Sequence, residues 1–178
     1  SDAWGLEKET RMHTNISGIF ISTYEASLER FRQNLPNVQL RWPKAELHQH
    51  DLAEHPDLSI DWLRADAKVK QDKLVILTTG QHGAEGFVGA AMLQLFIEEY
   101  LPRLNPDNAG LLLVHALNPW GMKHGRRVNA NNVDLNRNFV WDEVDLNAAA
   151  NPNYRLINNF LNPSNRLRNL PLAVIDFF

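Results

Sequence analysis

The run Leu74-Val-Ile-Leu-Thr-Thr-Gly-Gln-His-Gly-Ala-Glu-Gly86 constrains this chain more than any other stretch. Leu74 to Thr79 is aliphatic and β-branched without alternation, the pattern of a strand buried on both faces in a parallel sheet covered by helices. Gly80, Gly83 and Gly86 then allow tight backbone turns. From Phe87 the apolar spacing becomes helical: Val88, Met92, Leu95 and Phe96 share one face, and Pro102 stops the helix. Strand, glycine loop and helix form a unit of an open α/β sheet, and such sheets place ligands at the carboxyl ends of their strands.

His82 and Glu85 stand three apart in that loop, so one turn of backbone aims an imidazole and a carboxylate at the same point. Zinc takes such ligands at about 2.0 to 2.2 Å and keeps one position open for water. The residues alone leave a second reading open, in which His82 donates to a loop carbonyl and Glu85 sits favourably at the start of the following helix.

The charge balance narrows the partners. Eighteen basic and twenty-one acidic residues give a net charge of −3 over 178 residues, which points away from nucleic acid and from anionic membrane surfaces. With zero cysteines there are no disulfides, thiolate metal sites or cysteine nucleophiles, as suits a reducing compartment. No apolar run approaches the ~20 residues of a membrane span, and Ser1 to Met12 lacks the apolar centre of a signal peptide. The expectation is a soluble, cytoplasmic protein whose residues 1–178 form a single domain, with 1–15 mobile.

Other stretches are read in chain order. Ser22-Thr-Tyr-Glu25 has capping-box spacing, and Tyr24, Leu28, Phe31 and Leu35 line a helix that ends before Pro36. Val38 to Leu47 reads as one or two strands interrupted by Pro43, while Leu58 to Val69 has no clear period. His48 and His50 would share one face of a strand, and without neighbouring ligands they read as surface or hydrogen-bonded residues. Asn105 to Gly110 is a turn, and Leu111 to Leu117 is a second buried strand holding His115 as a satisfied core histidine. Asn118-Pro-Trp-Gly121 is another turn.

Lys123 to Phe139 is too polar for a core element. Arg126, Arg127 and Arg137 offer planar forks for a carboxylate or oxyanion, with Asn136 as a neutral donor beside them. An asparagine-rich network of Asx turns is the alternative. Beyond it, Tyr154 to Leu161 reads as a short amphipathic helix and Leu172 to Phe178 as an apolar strand.

Taken together, Gln81-His-Gly-Ala-Glu-Gly86, Asn118-Pro-Trp-Gly121, Arg126-Arg-Val-Asn129 and Val133-Asp-Leu-Asn-Arg-Asn-Phe139 resemble the zinc carboxypeptidases. More narrowly, they are similar to the bacterial carboxypeptidase-like metallopeptidases known as a domain of unknown function. The resemblance runs from about Ile16 to Leu161. It implies an α/β fold of three layers, with a mostly parallel or mixed sheet and helices on both faces, of the phosphorylase/hydrolase-like type and C-terminally incomplete.

The resemblance also implies roles. His82 and Glu85 would be zinc ligands, and Asp134 would accept the other ring N–H of His82. Arg127 would polarise the scissile carbonyl and hold the developing oxyanion, while Asn136 and Arg137 would grip a terminal carboxylate. The implied activity is zinc-dependent hydrolysis of an amide bond next to a free carboxylate, on a peptide or N-acyl amino acid. Two alternatives stand beside it: a deacylase like succinylglutamate desuccinylase or aspartoacylase, and an inactive truncated module that binds carboxylates.

The family pattern further requires a third ligand, a histidine following Asp-x on a later strand, and a glutamate acting as general base. Ile175-Asp-Phe-Phe178 is similar to the strand leading to that histidine, but Phe178 stands in its place and no acidic residue follows. The expectation is weak zinc binding and little peptidase activity by this chain as written. A sheet without its later strands would expose an apolar edge and favour homo-oligomers.

Overall fold

The computed structural model of the protein describes residues 18–138. The elements expected at Tyr154 to Leu161 and Leu172 to Phe178, the mobility expected at 1–15, and Phe139 lie outside the described residues.

Helix α1 (Tyr24–Arg32) starts at Thr23, whose side chain accepts from the Ala26 N–H at 3.4 Å. Glu25 in its first turn and Arg30 and Arg32 in its last suit the helix dipole. It ends at Arg32, earlier than its apolar spacing suggests. Pro36 opens a separate short helix, α2 (Leu35–Gln39), standing in the first turn where a missing N–H costs nothing. Val38, expected in a strand, is therefore helical and buried.

Strands β1 (Glu46–Leu52) and β2 (His55–Ala65) form an antiparallel pair. The sequence hides β2 because Pro56 stands near its start and its inward face carries Ser59 and Asp61 along with Leu63 and Ala65. Strand β3 (Lys73–Thr78) leads through the glycine loop into α3 (Gly86–Leu95), which runs on through a π turn at Phe96–Tyr100 and a 3-10 turn at Leu101–Arg103. Strand β4 (Ala109–His115) and helix α4 (Pro119–His124) follow, then a 3-10 turn at Leu135–Arg137. No helix among the described residues is long and apolar enough to cross a membrane.

The sheet is mixed, in the order β1-β2-β4-β3, with β4 antiparallel to β2 and parallel to β3. Register pairs Leu63 with Leu113 and Ala65 with Leu111, setting these side chains on one face. Phe31, Val38, Trp42, Leu93 and Ile97 pack against them.

Two expectations about this unit need correction. Leu74 and Ile76 are 49% and 54% exposed, because they point to the face of β3 away from the core that Val75 and Leu77 pack against. On α3, Val88 and Met92 are 56% and 60% exposed, while Gly86, Ala90, Ala91 and Leu93 face inward. The small side wins because the helix sits close to the end of β3: a Cβ at Gly89 would be 3.1 Å from the Thr79 Cβ. A side carrying valine and methionine would hold the helix off the sheet.

A polar cluster is buried between α1 and the sheet. His115 Nε2 lies 2.9 Å from Ser27 Oγ, and the ring stacks on Phe31 at 5.4 Å. Its strand partner Asp61 is fully buried, receives Arg32 Nε at 2.7 Å and Ser59 Oγ at 2.5 Å, and lies beside the Tyr24–Ser59 bonds. Burial pushes the His115 imidazole down to about 4, against the pull of the Asp61 carboxylate.

The folded state thus prefers neutral His115, so this contribution is fully present above the ordinary histidine value near 6.5 and is lost as pH falls toward 4. Across that window the unfolding free energy should drop by up to about 1.4 kcal/mol per pH unit. Urea midpoints measured at pH 7, 5.5 and 4.5 check this. His115→Gln should flatten the slope over this interval, and an unchanged slope would contradict the assignment.

Candidate metal and carboxylate site

Two loops meet at the carboxyl ends of β3 and β4. The first is Thr79 to Gly86. Gly80 holds φ at +63°, and a Cβ there would be 2.6 Å from the Ala116 Cβ. The Leu117 and Asn118 amides donate to the Thr79 and Gly80 carbonyls at 2.9 and 2.8 Å, fixing the loop to the chain leaving β4. Glu85 is the residue before α3, but its carboxylate makes no capping bond and turns instead to His82.

The second loop follows α4. Asn118-Pro-Trp-Gly121 is the start of that helix rather than a turn: Asn118 Oδ1 accepts the Gly121 amide at 2.9 Å, and Pro119 stands in the first turn. Asn118 Nδ2 donates to the Arg127 carbonyl at 3.4 Å, so one side chain starts the helix and holds the loop that leaves it. Asn129 Oδ1 accepts the Asn131 and Val133 amides, and Asp134 Oδ1 accepts the Asn136 amide at 3.0 Å at the start of the 3-10 turn. The Asx turns that stood as the alternative reading of this stretch are present, and they hold Asp134 beside Arg127.

The loops are joined by backbone and side chains. The Ala84 amide donates to the Arg126 carbonyl at 3.0 Å, and Gly83 packs directly on the Gly121–Met122 peptide. His82 Nε2 lies 3.1 Å from Asp134 Oδ1, and Arg127 Nε donates to Asp134 Oδ2 at 2.9 Å. Gln81 Nε2 donates to Asn136 Oδ1 at 3.3 Å. The Arg127 guanidinium, with the Asn136 amide and His82 adding to it, holds the Asp134 carboxyl below its ordinary range.

His82 Nδ1 and Glu85 Oε2 are 3.3 Å apart. Two ligands each about 2.05 Å from a tetrahedral zinc ion are separated by about 3.3 Å, so this pair already has the spacing of one ligand edge. With Nε2 held by Asp134, Nδ1 is the nitrogen left to face an ion, and a carboxylate behind a histidine is the usual support for a metal-binding ring. The donor set fits zinc. No group of three or more His, Asp or Glu side chains placed to hold a metal occurs among the described residues.

The site therefore brings together His82, Glu85, Asp134, Arg127 and Asn136. Arg137 lies in the 3-10 turn beside Asn136 and, like Arg126, is exposed. His48 and His50 stay away on β1, where His48 stacks on Trp62, and His55 packs near Trp120. Sequence reasoning passed over Gln81 and the double role of Asn118. For Asn118 the signal was present: asparagine before proline, with Lys123, His124 and Gly125 closing the segment, is a helix from cap to cap.

A family model described as a protein of unknown function (DUF2817) matches residues 20–174. No curated protein matches the sequence. Among solved structures, similarity is found to a proposed carboxypeptidase from Burkholderia mallei, 23% identical over 66% of this chain and 32% of that one, with a TM-score of 0.45. A proposed carboxypeptidase A from Shewanella denitrificans is 21% identical over the same shares, also with a TM-score of 0.45. A metallo-carboxypeptidase from Burkholderia cenocepacia is 23% identical over 66% of this chain and 34% of that one, with a TM-score of 0.44. The chain spans about a third of the length of each.

Proposed function

This chain belongs to the DUF2817 family of proteins of unknown function, and on that premise we propose that it carries a zinc-dependent hydrolytic site of the carboxypeptidase type. The observation that supports this reading best is the chain of contacts Glu85–His82–Asp134–Arg127, in which one carboxylate orients the metal-facing ring and the guanidinium together. His82 and Glu85 would hold the ion, and bound there it supplies a Lewis acid that polarises a carbonyl and makes water nucleophilic near neutral pH.

The protein's own residues do the rest of the work. Asp134 would accept the ring N–H of His82 at Nε2 and so turn Nδ1 toward the ion. It also holds Arg127 by one nitrogen, leaving the terminal guanidinium N–H groups to meet an oxygen that gains negative charge. Asn136 and Arg137, adjacent on the 3-10 turn, supply a neutral and a charged donor for a terminal carboxylate. The substrate class is a peptide or N-acyl amino acid ending in a free carboxylate.

Titration with a short peptide and with its C-terminal amide tests the grip. The free carboxylate should bind at least about ten-fold more tightly, and Arg137→Met with Asn136→Leu should erase that preference. Equal binding of acid and amide would contradict the reading. A product screen then separates the alternatives: amino acids released from peptides mark a carboxypeptidase, and succinate or acetate released from N-acyl amino acids marks a deacylase.

A further inference from the structure

Gln81 stands between two fixed points of the glycine loop. The Gly80 carbonyl accepts the Asn118 amide at 2.8 Å, and the Ala84 amide donates to the Arg126 carbonyl at 3.0 Å. From that held backbone the half-buried Gln81 side chain crosses to the second loop, where Nε2 donates to Asn136 Oδ1 at 3.3 Å.

Asn136 is itself fixed as far as its side chain. Its backbone amide donates to Asp134 Oδ1 at 3.0 Å, and the Arg137 amide donates to the Asp134 carbonyl at 3.0 Å. These bonds leave open the terminal torsion of the Asn136 amide, which is broad and roughly two-fold. One orientation presents two N–H donors to a ligand, and the other presents an oxygen acceptor. For a carboxylate that choice decides between attraction and repulsion.

We propose that Gln81 is a positioning residue that makes Asn136 a donor: by giving an N–H to Oδ1, it turns Nδ2 toward a carboxylate gripped beside Arg137. This role rests on the carboxylate grip proposed above and sets its polarity. Asn136 is exposed, and Nδ2 has no other partner among the described residues, so its N–H groups stay free for a ligand. The same bond joins the neighbour of His82 to the neighbour of Arg137, and so fixes the spacing between the loop that would hold the ion and the turn that would hold the carboxylate.

The test compares binding of a short peptide and its C-terminal amide by the parent, Gln81→Met, Asn136→Leu and the double variant. Methionine is close to glutamine in size but has no N–H to give. Gln81→Met should lower the acid-over-amide preference about three-fold or more where Asn136 is present. In the Asn136→Leu background, where Arg137 supplies the remaining preference, it should change that preference by less than about two-fold. Equal losses in both backgrounds would mark a role in loop packing alone and overturn the proposal. By NMR of isotope-labelled protein, the Asn136 side-chain amide, identified by its loss in Asn136→Leu, should shift downfield in Gln81→Glu, whose carboxylate only accepts and so draws Nδ2 over. An Asn136 amide already bonded in the parent and unchanged by Gln81→Glu would show the reverse pairing and overturn the proposal. A parent that binds acid and amide equally removes the grip and this role together, whereas a parent preference untouched by Gln81→Met removes this role alone.

Discussion

Gly83→Ala is expected to lower the unfolding free energy by about 4 kcal/mol or more and to abolish ligand binding at the site. An alanine Cβ at this position would lie 2.0 Å from the Gly121 carbonyl carbon and 2.2 Å from the Met122 nitrogen. Both obstacles are backbone, so no side chain can swing away. The loop would have to lift from α4, breaking the Ala84–Arg126 bond and separating His82 from Asp134. Gly125→Ala is the control: its φ of +62° is strained for alanine, but nothing lies within 4 Å of the new Cβ, so about 1 kcal/mol is expected. Chemical denaturation of both variants checks the pair, and a Gly83→Ala protein within 1 kcal/mol of the parent would refute the close packing of the loops.

Arg32→Met should cost about 3 kcal/mol, measured the same way. Asp61 is fully buried on β2, and Arg32 is its only charged partner among the described residues. Removing the guanidinium leaves a buried carboxylate with the Ser59 hydroxyl as its remaining side-chain donor. The value falls at the low end of the usual range because Arg32 itself keeps about a third of its side chain in water. Asp61→Asn in the Arg32→Met background should recover part of the loss, since a neutral amide is cheaper to bury than an unpaired charge. If the double variant is as unstable as the sum of the singles, the two groups are not coupled.

What was legible in the sequence was local. The apolar run ending in Gly80, the second run at Leu111 to Leu117 and the turn signals between them pointed to two neighbouring strands and their loops, although β4 starts at Ala109 and ends at His115. The face of α3 was not legible, because Val88 and Met92 have helical spacing that fits burial. Only the approach of Gly89 to Thr79 selects the alanine side instead. Strand β2 was hidden by its buried Ser59 and Asp61, polar residues whose partners Tyr24 and Arg32 lie on another element. Periodicity registers a residue's polarity and not its partner.

The clustering of the candidate residues was legible for a different reason. His82 and Asp134 are distant in sequence, and no local pattern joins them. Only the two motifs in order, read as a resemblance, put them together, and the described geometry places them 3.1 Å apart. Glu85 and Arg127 were placed by the same reasoning, and both contact members of that pair. Gln81 was missed because a lone glutamine in a glycine loop has no spacing signature.

Whether His82 and Glu85 hold a metal is decided by zinc titration of the protein by calorimetry, with His82→Gln and Asp134→Asn alongside. One weakly held zinc per chain is expected, with no measurable binding by His82→Gln and affinity lowered about ten-fold or more by Asp134→Asn, which leaves the ligands in place but frees the ring. Zinc binding that survives His82→Gln unchanged would contradict it, as would a parent protein that takes up no zinc.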